Sequence, residues 1–255
     1  MNKNILIVWL GVVLSIAITT SMDANGYAAF SSLPLLPLFL LFWWWMGFSR
    51  KDVGFRVGPA APYAVAVYYP ILLMGSLALV AALTGGVDLS STDWNKATLN
   101  LLAGGIGTVV VSMVTEEGFF RGWLWAGLQH IGYSDRATLI ATSLAFTAWH
   151  ISAISLETGF DIPAKEIPIY LVNATLLGLS WGLLRQWSGS IVVTSVCHGV
   201  WNGLAYAFFG FGEHVGALGI EQTWIFGPEV GLLGIVVNAA VVVLLWRHVK
   251  KQAYV

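Results

Sequence analysis

Charge is what this sequence has least of: only 10% of its 255 residues are Asp, Glu, Lys or Arg, against roughly 25% in an ordinary soluble domain. A soluble fold of this size needs more charge on its surface, and a disordered chain needs more still. The net charge of −1 leaves no basic footprint for nucleic acid. The single cysteine, Cys197, excludes an intramolecular disulfide and any cysteine-rich metal centre. No linker or low-complexity tail divides the chain, which reads as one domain over 1–255. Its longest polar connections fall around 85–97, 156–166 and 211–228.

Apolar residues fill the space that charge leaves. They make up 57% of the chain, with a mean hydropathy of +0.77. They gather into eight stretches near 4–20, 31–48, 62–84, 98–120, 136–155, 167–187, 190–210 and 229–247. Each is close to the roughly 20 residues that cross a bilayer as a helix. The expected fold is therefore all-α, a polytopic transmembrane helical bundle of about eight spans. The first stretch follows Lys3 as a signal peptide would. However, Ser21-Met22-Asp23-Ala24-Asn25 is a poor cleavage site, so a retained helix is expected. The fourth reads on through Arg121 to about His130 as one long, tilted or broken helix. Within it, Gly104, Gly105 and Gly107 admit a neighbouring backbone. The two halves show no convincing similarity of the kind found in inverted-repeat transporters.

Loop charges test the span count independently. Eight spans put Lys3, Arg50, Lys51, Arg56, Arg136, Arg185, Arg247, Lys250 and Lys251 on one side, and only Lys96 and Lys165 on the other. That bias makes the first side, with both termini, cytoplasmic. Asp23, Asp88, Asp93, Glu157, Asp161, Glu166, Glu213, Glu221 and Glu229 fall opposite, and an odd number of spans would scramble the sorting.

Ionisable groups inside a span cost roughly 3 kcal/mol or more at the helix centre, and persist where they face one another or a wet cavity. Here they concentrate in three places: Glu116-Glu117-Gly118-Phe119-Phe120-Arg121, Phe146-Thr147-Ala148-Trp149-His150 and His198-Gly199-Val200-Trp201-Asn202. Glu117 and Arg121 are four apart, share a helix face and can pair. Glu116 is rotated about 100° away and stays free for a different neighbour. His198 and Asn202 also project together, and His150 can meet them. One free carboxylate, two imidazoles and a carboxamide suffice for hydrolysis: a base for water, a partner for its proton, and donors for an oxyanion.

The order Glu-Glu-x-x-x-Arg, Phe-x-x-x-His, His-x-x-x-Asn on three separate spans resembles the CPBP family. These are the CAAX proteases and bacteriocin-processing enzymes, also called the Abi family, whose eukaryotic relatives are the type II CAAX prenyl endopeptidases of the endoplasmic reticulum. The resemblance covers about residues 98–210. It includes the run Leu176–Leu184 before Ser188-Gly189-Ser190-Ile191, which looks like the family's penultimate core helix and its turn. By that resemblance the chain is an intramembrane endopeptidase of a prokaryotic-type plasma membrane, acting on a peptide or membrane-protein substrate. Glu116 is the base that activates water, and His150 helps to hold that water. His198 and Asn202 stabilise the oxyanion, or His198 binds metal, while Glu117 and Arg121 are structural support. Motif depth, with the resemblance, points to a cavity opening toward the cytoplasm.

His150, His198 and Glu116 would hold zinc with a position open for water. The same residues serve equally as a metal-free, glutamate-activated water site, and spacing is compatible with both. Two rival readings use the same cluster: a proton- or ion-coupled carrier, and a catalytically silent scaffold. The remaining candidates are weaker. His130, His214 and His248 read as interfacial, and Cys197 as packing. Asn173 and Thr175 either line the cavity or bond a neighbouring helix. Trp43-Trp44-Trp45 forms an interfacial belt.

The charge sorting predicts that cysteines introduced near Arg50 and at both chain ends are labelled from the cytoplasmic side of intact cells. Labelling of either end from outside would overturn the topology.

Overall fold

The computed structural model describes residues 3–212 and 214–252; Glu213, counted above among the acidic loop residues, and residues 1–2 and 253–255 lie outside the described residues. Eight helical segments are long and apolar enough to cross a membrane. They are α1 (Lys3–Ala24), a 3-10 turn (Ala28–Phe30) leading to α2 (Leu35–Met46), α3 (Ala61–Leu83), and a continuous run of three pieces. That run is α4 (Trp94–Val114), a π-helical stretch (Glu117–Leu124) and α5 (Trp125–His130). There follow α6 (Asp135–Trp149) with α7 (Ile151–Ser155), α8 (Ile167–Ser188), α9 (Ile191–Leu204) ending in a π-helical turn (Ala205–Phe209), a short α10 (Thr223–Phe226), and α11 (Leu232–Gln252). A two-residue antiparallel pairing of β1 (Gly210–Phe211) with β2 (His214–Val215) is the only sheet among the described residues. The all-α bundle and its eight spans are borne out, including the long fourth span that continues to His130.

Local chemistry sets the helix ends. Asp93 accepts from the Lys96 amide at 3.0 Å to start α4. Ser134 and Ser190 cap α6 and α9 through amides of the first turn. Gly47 and Gly189 end α2 and α8 at φ 68° and 64°, where a side chain would be strained.

The connections sort by end as the charges require. At one end Arg56 donates from Nε to the Gly189 carbonyl at 2.9 Å. There Arg185 also reaches the Asp52 carbonyl, Asn4 meets His130, and Arg136 lies over Trp246. This is the basic end. At the other, the Asp88 amide donates to the Leu218 carbonyl at 3.0 Å, and Ser152 donates to Asp23 at 2.6 Å.

The crossing of α4 and α9 matters most for function, because it brings the first and third motifs together. A Cβ on Gly199 would stand 2.3 Å from the Val109 side chain and 2.6 Å from the Gly105 carbonyl; one on Gly203 would stand 3.0 Å from the Gly105 Cα. Only bare backbone permits that approach. Of the three glycines expected to admit a neighbour, Gly105 does so, while Gly104 and Gly107 have nothing within 4 Å.

Gly199→Ala should therefore lower the melting temperature in detergent, at a cost of about 1–3 kcal/mol for overpacking. Gly104→Ala should leave it unchanged or raise it, by up to about 1 kcal/mol from helix propensity. Equal effects at the two sites would contradict the crossing.

Candidate active site

The first motif sits where the helix changes form. Thr115 leaves helical geometry at φ −106° and ψ −96°, and from Glu117 the chain winds as a π-helix. Such widened turns are rare and recur at functional sites. Gly118 and Gly122 let the ring of Phe39 on α2 and the Val53 carbonyl press against this stretch. The two adjacent glutamates part company here. Glu117 is fully buried, whereas the Glu116 side chain keeps 16% of its surface open to the cavity.

Glu117 and Arg121 form the expected pair, Oε1 to Nη1 at 3.2 Å, with both side chains wholly buried. The same Oε1 also faces His198 Nδ1 at 3.1 Å, so Glu117 orients a proposed catalytic ring as well as pairing the arginine. The guanidinium lies over Phe146 at 4.1 Å and Trp181 at 5.3 Å. Trp181 in turn stacks on the His198 ring at 4.2 Å. Phe146 has a second task, since its carbonyl bonds His150 Nδ1 at 2.9 Å.

These partners assign the imidazole protons. A carbonyl oxygen only accepts, so Nδ1 of His150 carries the hydrogen, and the carboxylate of Glu117 requires the same of His198. Nε2 of each ring is left facing Glu116, and both lie 3.9 Å from its Oε2. That is too long for a direct hydrogen bond and suits one intervening water. Asn202 lines the same cavity, and its carboxamide has no hydrogen-bond partner among the described residues. The cavity holds about 80 Å³, enough for a few waters and too little for a peptide.

A zinc ion fits this arrangement poorly. Bonds of about 2.0–2.1 Å at tetrahedral angles put ligand atoms about 3.3 Å apart, not 3.9 Å. Among the described residues no three His, Cys, Asp or Glu side chains are disposed to hold a metal.

Three further lining residues were not singled out as site residues from the sequence: Tyr170, Tyr206 and Glu229. Glu229 accepts from Trp201 Nε1 at 2.6 Å. Asn173 pins its backbone carbonyl at 2.9 Å and bonds Asn238, which also accepts from Tyr69. Asn173 and Thr175, the latter bonded to Thr147, thus join helices rather than line the cavity. Glu229 read as a loop acid at the edge of the last span. The segment Gly227-Pro228-Glu229-Val230-Gly231 instead folds inward and is buried, and α11 begins only at Leu232. Cys197 is buried and takes no part in the cavity.

The cavity lies in the half of the bundle opposite the expected one. Tyr170 is the fourth residue of α8 at its non-basic end, His150 lies five residues from the non-basic end of α7, and Tyr206 and Glu229 flank the 210–231 connection. Toward the basic end, buried Arg121 and Trp181 close it. The expectation of a cytoplasmic opening rested on motif depth and on the resemblance, and the residues that line the far side of the cavity, Tyr170, Tyr206 and Glu229, had no part in it.

Residues 98–204 match the family model described as Type II CAAX prenyl endopeptidase Rce1-like. The match spans the segment that carries all three motifs, and its similarity to the CAAX-protease family is the one the motif order led us to expect. No curated protein and no solved structure matches the chain. The matched core stops short of Tyr206 and Glu229.

Removing the arginine tests the buried pair. Arg121→Ala strands Glu117 and should cost about 3–5 kcal/mol, the usual penalty for an orphaned buried charge. Arg121→Lys should recover only part, because the flat guanidinium between Phe146 and Trp181 is lost. An unchanged melting temperature in detergent for Arg121→Ala would refute the pairing.

Proposed function

We propose that this integral membrane protein is an intramembrane endopeptidase that hydrolyses peptide bonds with a water held between Glu116 and the imidazoles of His150 and His198. The observation that carries this reading is the pair of equal 3.9 Å separations converging on Glu116 Oε2. Three acceptors surround a water that has two protons to give. His198 lies between the Glu116 and Glu117 carboxylates, and in this mechanism it serves as the donor through Nε2–H. His150, whose Nδ1–H is held by the Phe146 carbonyl, accepts from the water through Nε2.

Glu116 takes one proton as the water oxygen attacks the peptide carbonyl carbon. The resulting oxyanion meets the Asn202 amide and His198 Nε2–H. When the tetrahedral species collapses, the carbon–nitrogen bond breaks and the proton on Glu116 passes to the leaving amine. No acyl-enzyme forms, and the water is activated without metal in this reading. The substrate is a peptide segment of a membrane-associated protein, and the membrane is a prokaryotic plasma membrane with the basic end cytoplasmic. A carrier needs access from both sides, and the closed basic end of the cavity favours the hydrolase.

Glu116→Gln keeps the shape and removes the base, so cleavage should fall about 10²–10⁴-fold with the fold retained. His150→Ala should be similarly severe, and Asn202→Ala should cost about 10²–10³-fold. Cys197→Ser should be silent. The measurement is cleavage of peptide or membrane-protein substrates by purified variants, with melting temperatures alongside. Full activity in folded Glu116→Gln sinks the mechanism. Inactivation by chelators, reversed by zinc, would replace its metal-free form.

A further inference from the structure

A second cavity adjoins the first. At the non-basic end a polar chamber of about 470 Å³ is walled by Asp88, Asp93, Lys96, Asn100 and His214, and Tyr206 lines both it and the catalytic cavity. The size falls within the roughly 300–1,000 Å³ of ligand sites. Tyr206 stands four residues beyond Asn202 and eight beyond His198 on the same helical run, about 6 and 12 Å along its axis. It belongs to the π-helical turn Ala205–Phe209, so a widened turn flanks the cavity on this side as on the Glu116 side.

The chamber walls are built, not loosely draped. Thr92 Oγ1 donates to the Ala217 carbonyl at 2.6 Å, and the Asp88 amide donates to the Leu218 carbonyl. Gly219, at φ +61°, packs so close to the Asp88 carbonyl that no Cβ would fit. Hydrogen bonds from Ser90, backbone first, hold the Asp88 carboxyl below the usual carboxylate range. With Lys96 beside Asp93, the chamber offers charges of both signs.

Two needs of the chemistry meet here. Each cleavage consumes one water, and the hydrocarbon core supplies none. The catalytic cavity, at about 80 Å³, cannot hold the polar flank of a peptide. We propose that the chamber is the port of the active site, delivering hydrolytic water past Tyr206 and seating a hydrophilic segment next to the scissile bond of the substrate. The second half of the proposal rests on the protease reading; the water route does not.

The route is read without catalysis. In a Cys197→Ser background, the thiol of an Asn202→Cys variant is titrated with a small hydrophilic thiol reagent in detergent. Filling the chamber with Asn100→Trp, or with Ser91→Trp should the first not fold, should slow modification at least tenfold, and Tyr206→Ala should speed it several-fold. Unchanged rates in a folded filled variant overturn the port. The substrate half is read by Lys96→Glu with two membrane-inserted peptides differing only in a Glu-rich or a Lys-rich hydrophilic tail. The KM should rise several-fold for the acidic tail and fall for the basic one, with kcat held. Unmoved KM values overturn the seating of the substrate. If the wild type cleaves neither these peptides nor any other substrate while the labelling result stands, the protease reading fails and the water port survives it.

Discussion

The buried bond between Glu117 and Arg121 is the constraint on which the rest of the site depends. Removing two ions from water costs several kcal/mol each, and one mutual contact in a low-dielectric interior does not repay that. The pair is single-pronged, Nη1 to Oε1, and Glu117 Oε2 has no hydrogen bond among the described residues. What compensates it comes from three other helices: His198 on α9 bonds the same oxygen, while Phe146 on α6 and Trp181 on α8 receive the guanidinium. The motifs are therefore one cluster. Moving any of these helices would strand a charge, so the pair acts less as a source of stability than as a specification of how α6, α8 and α9 sit around the fourth span.

That specification separates two neighbouring carboxylates of the same type. Glu117 is spent inside the scaffold, and Glu116 is turned out to the water-sized space. The break at Thr115 and the π-helical stretch after it accomplish the separation. The same cluster sets the imidazoles. Phe146 contributes its ring to the arginine and its carbonyl to His150, and Glu117 contributes one oxygen to both Arg121 and His198. Each Nε2 is thus aimed by a partner that also holds the charge centre, a form of preorganisation built from the fold's own requirements.

Much of this was legible in the sequence because it rests on local rules. The eight spans follow from hydropathy alone, the end-sorting from eleven basic residues, and the Glu117–Arg121 contact from four-residue spacing. The close approach of α4 and α9 was visible in Gly105, but its other half, Gly199 and Gly203, lay hidden within and just after the third motif. Tyr170, Tyr206 and Glu229 were not legible as site residues. Each reaches the cavity by tertiary placement, Glu229 through a Gly- and Pro-bounded segment that folds inward where hydropathy reads the edge of a span. The side toward which the cavity extends was not legible for a related reason: it depends on buried Arg121 and Trp181 meeting across helices at the basic side.

The buried charges also explain why the cavity has to face the non-basic end. Arg121 fills the space beneath Glu116 with its flanks covered by Phe146 and Trp181, so the motif that fixes the glutamate also stoppers the bundle on that side. Water admitted there would solvate the Glu117–Arg121 pair, weaken the bond that aims His198 and loosen the helices that the pair specifies. A wet catalytic space and a dry charge centre can coexist on one helix only if water arrives from the opposite direction. The break at Thr115 and the π-helical winding from Glu117 set that boundary between the two neighbouring carboxylates.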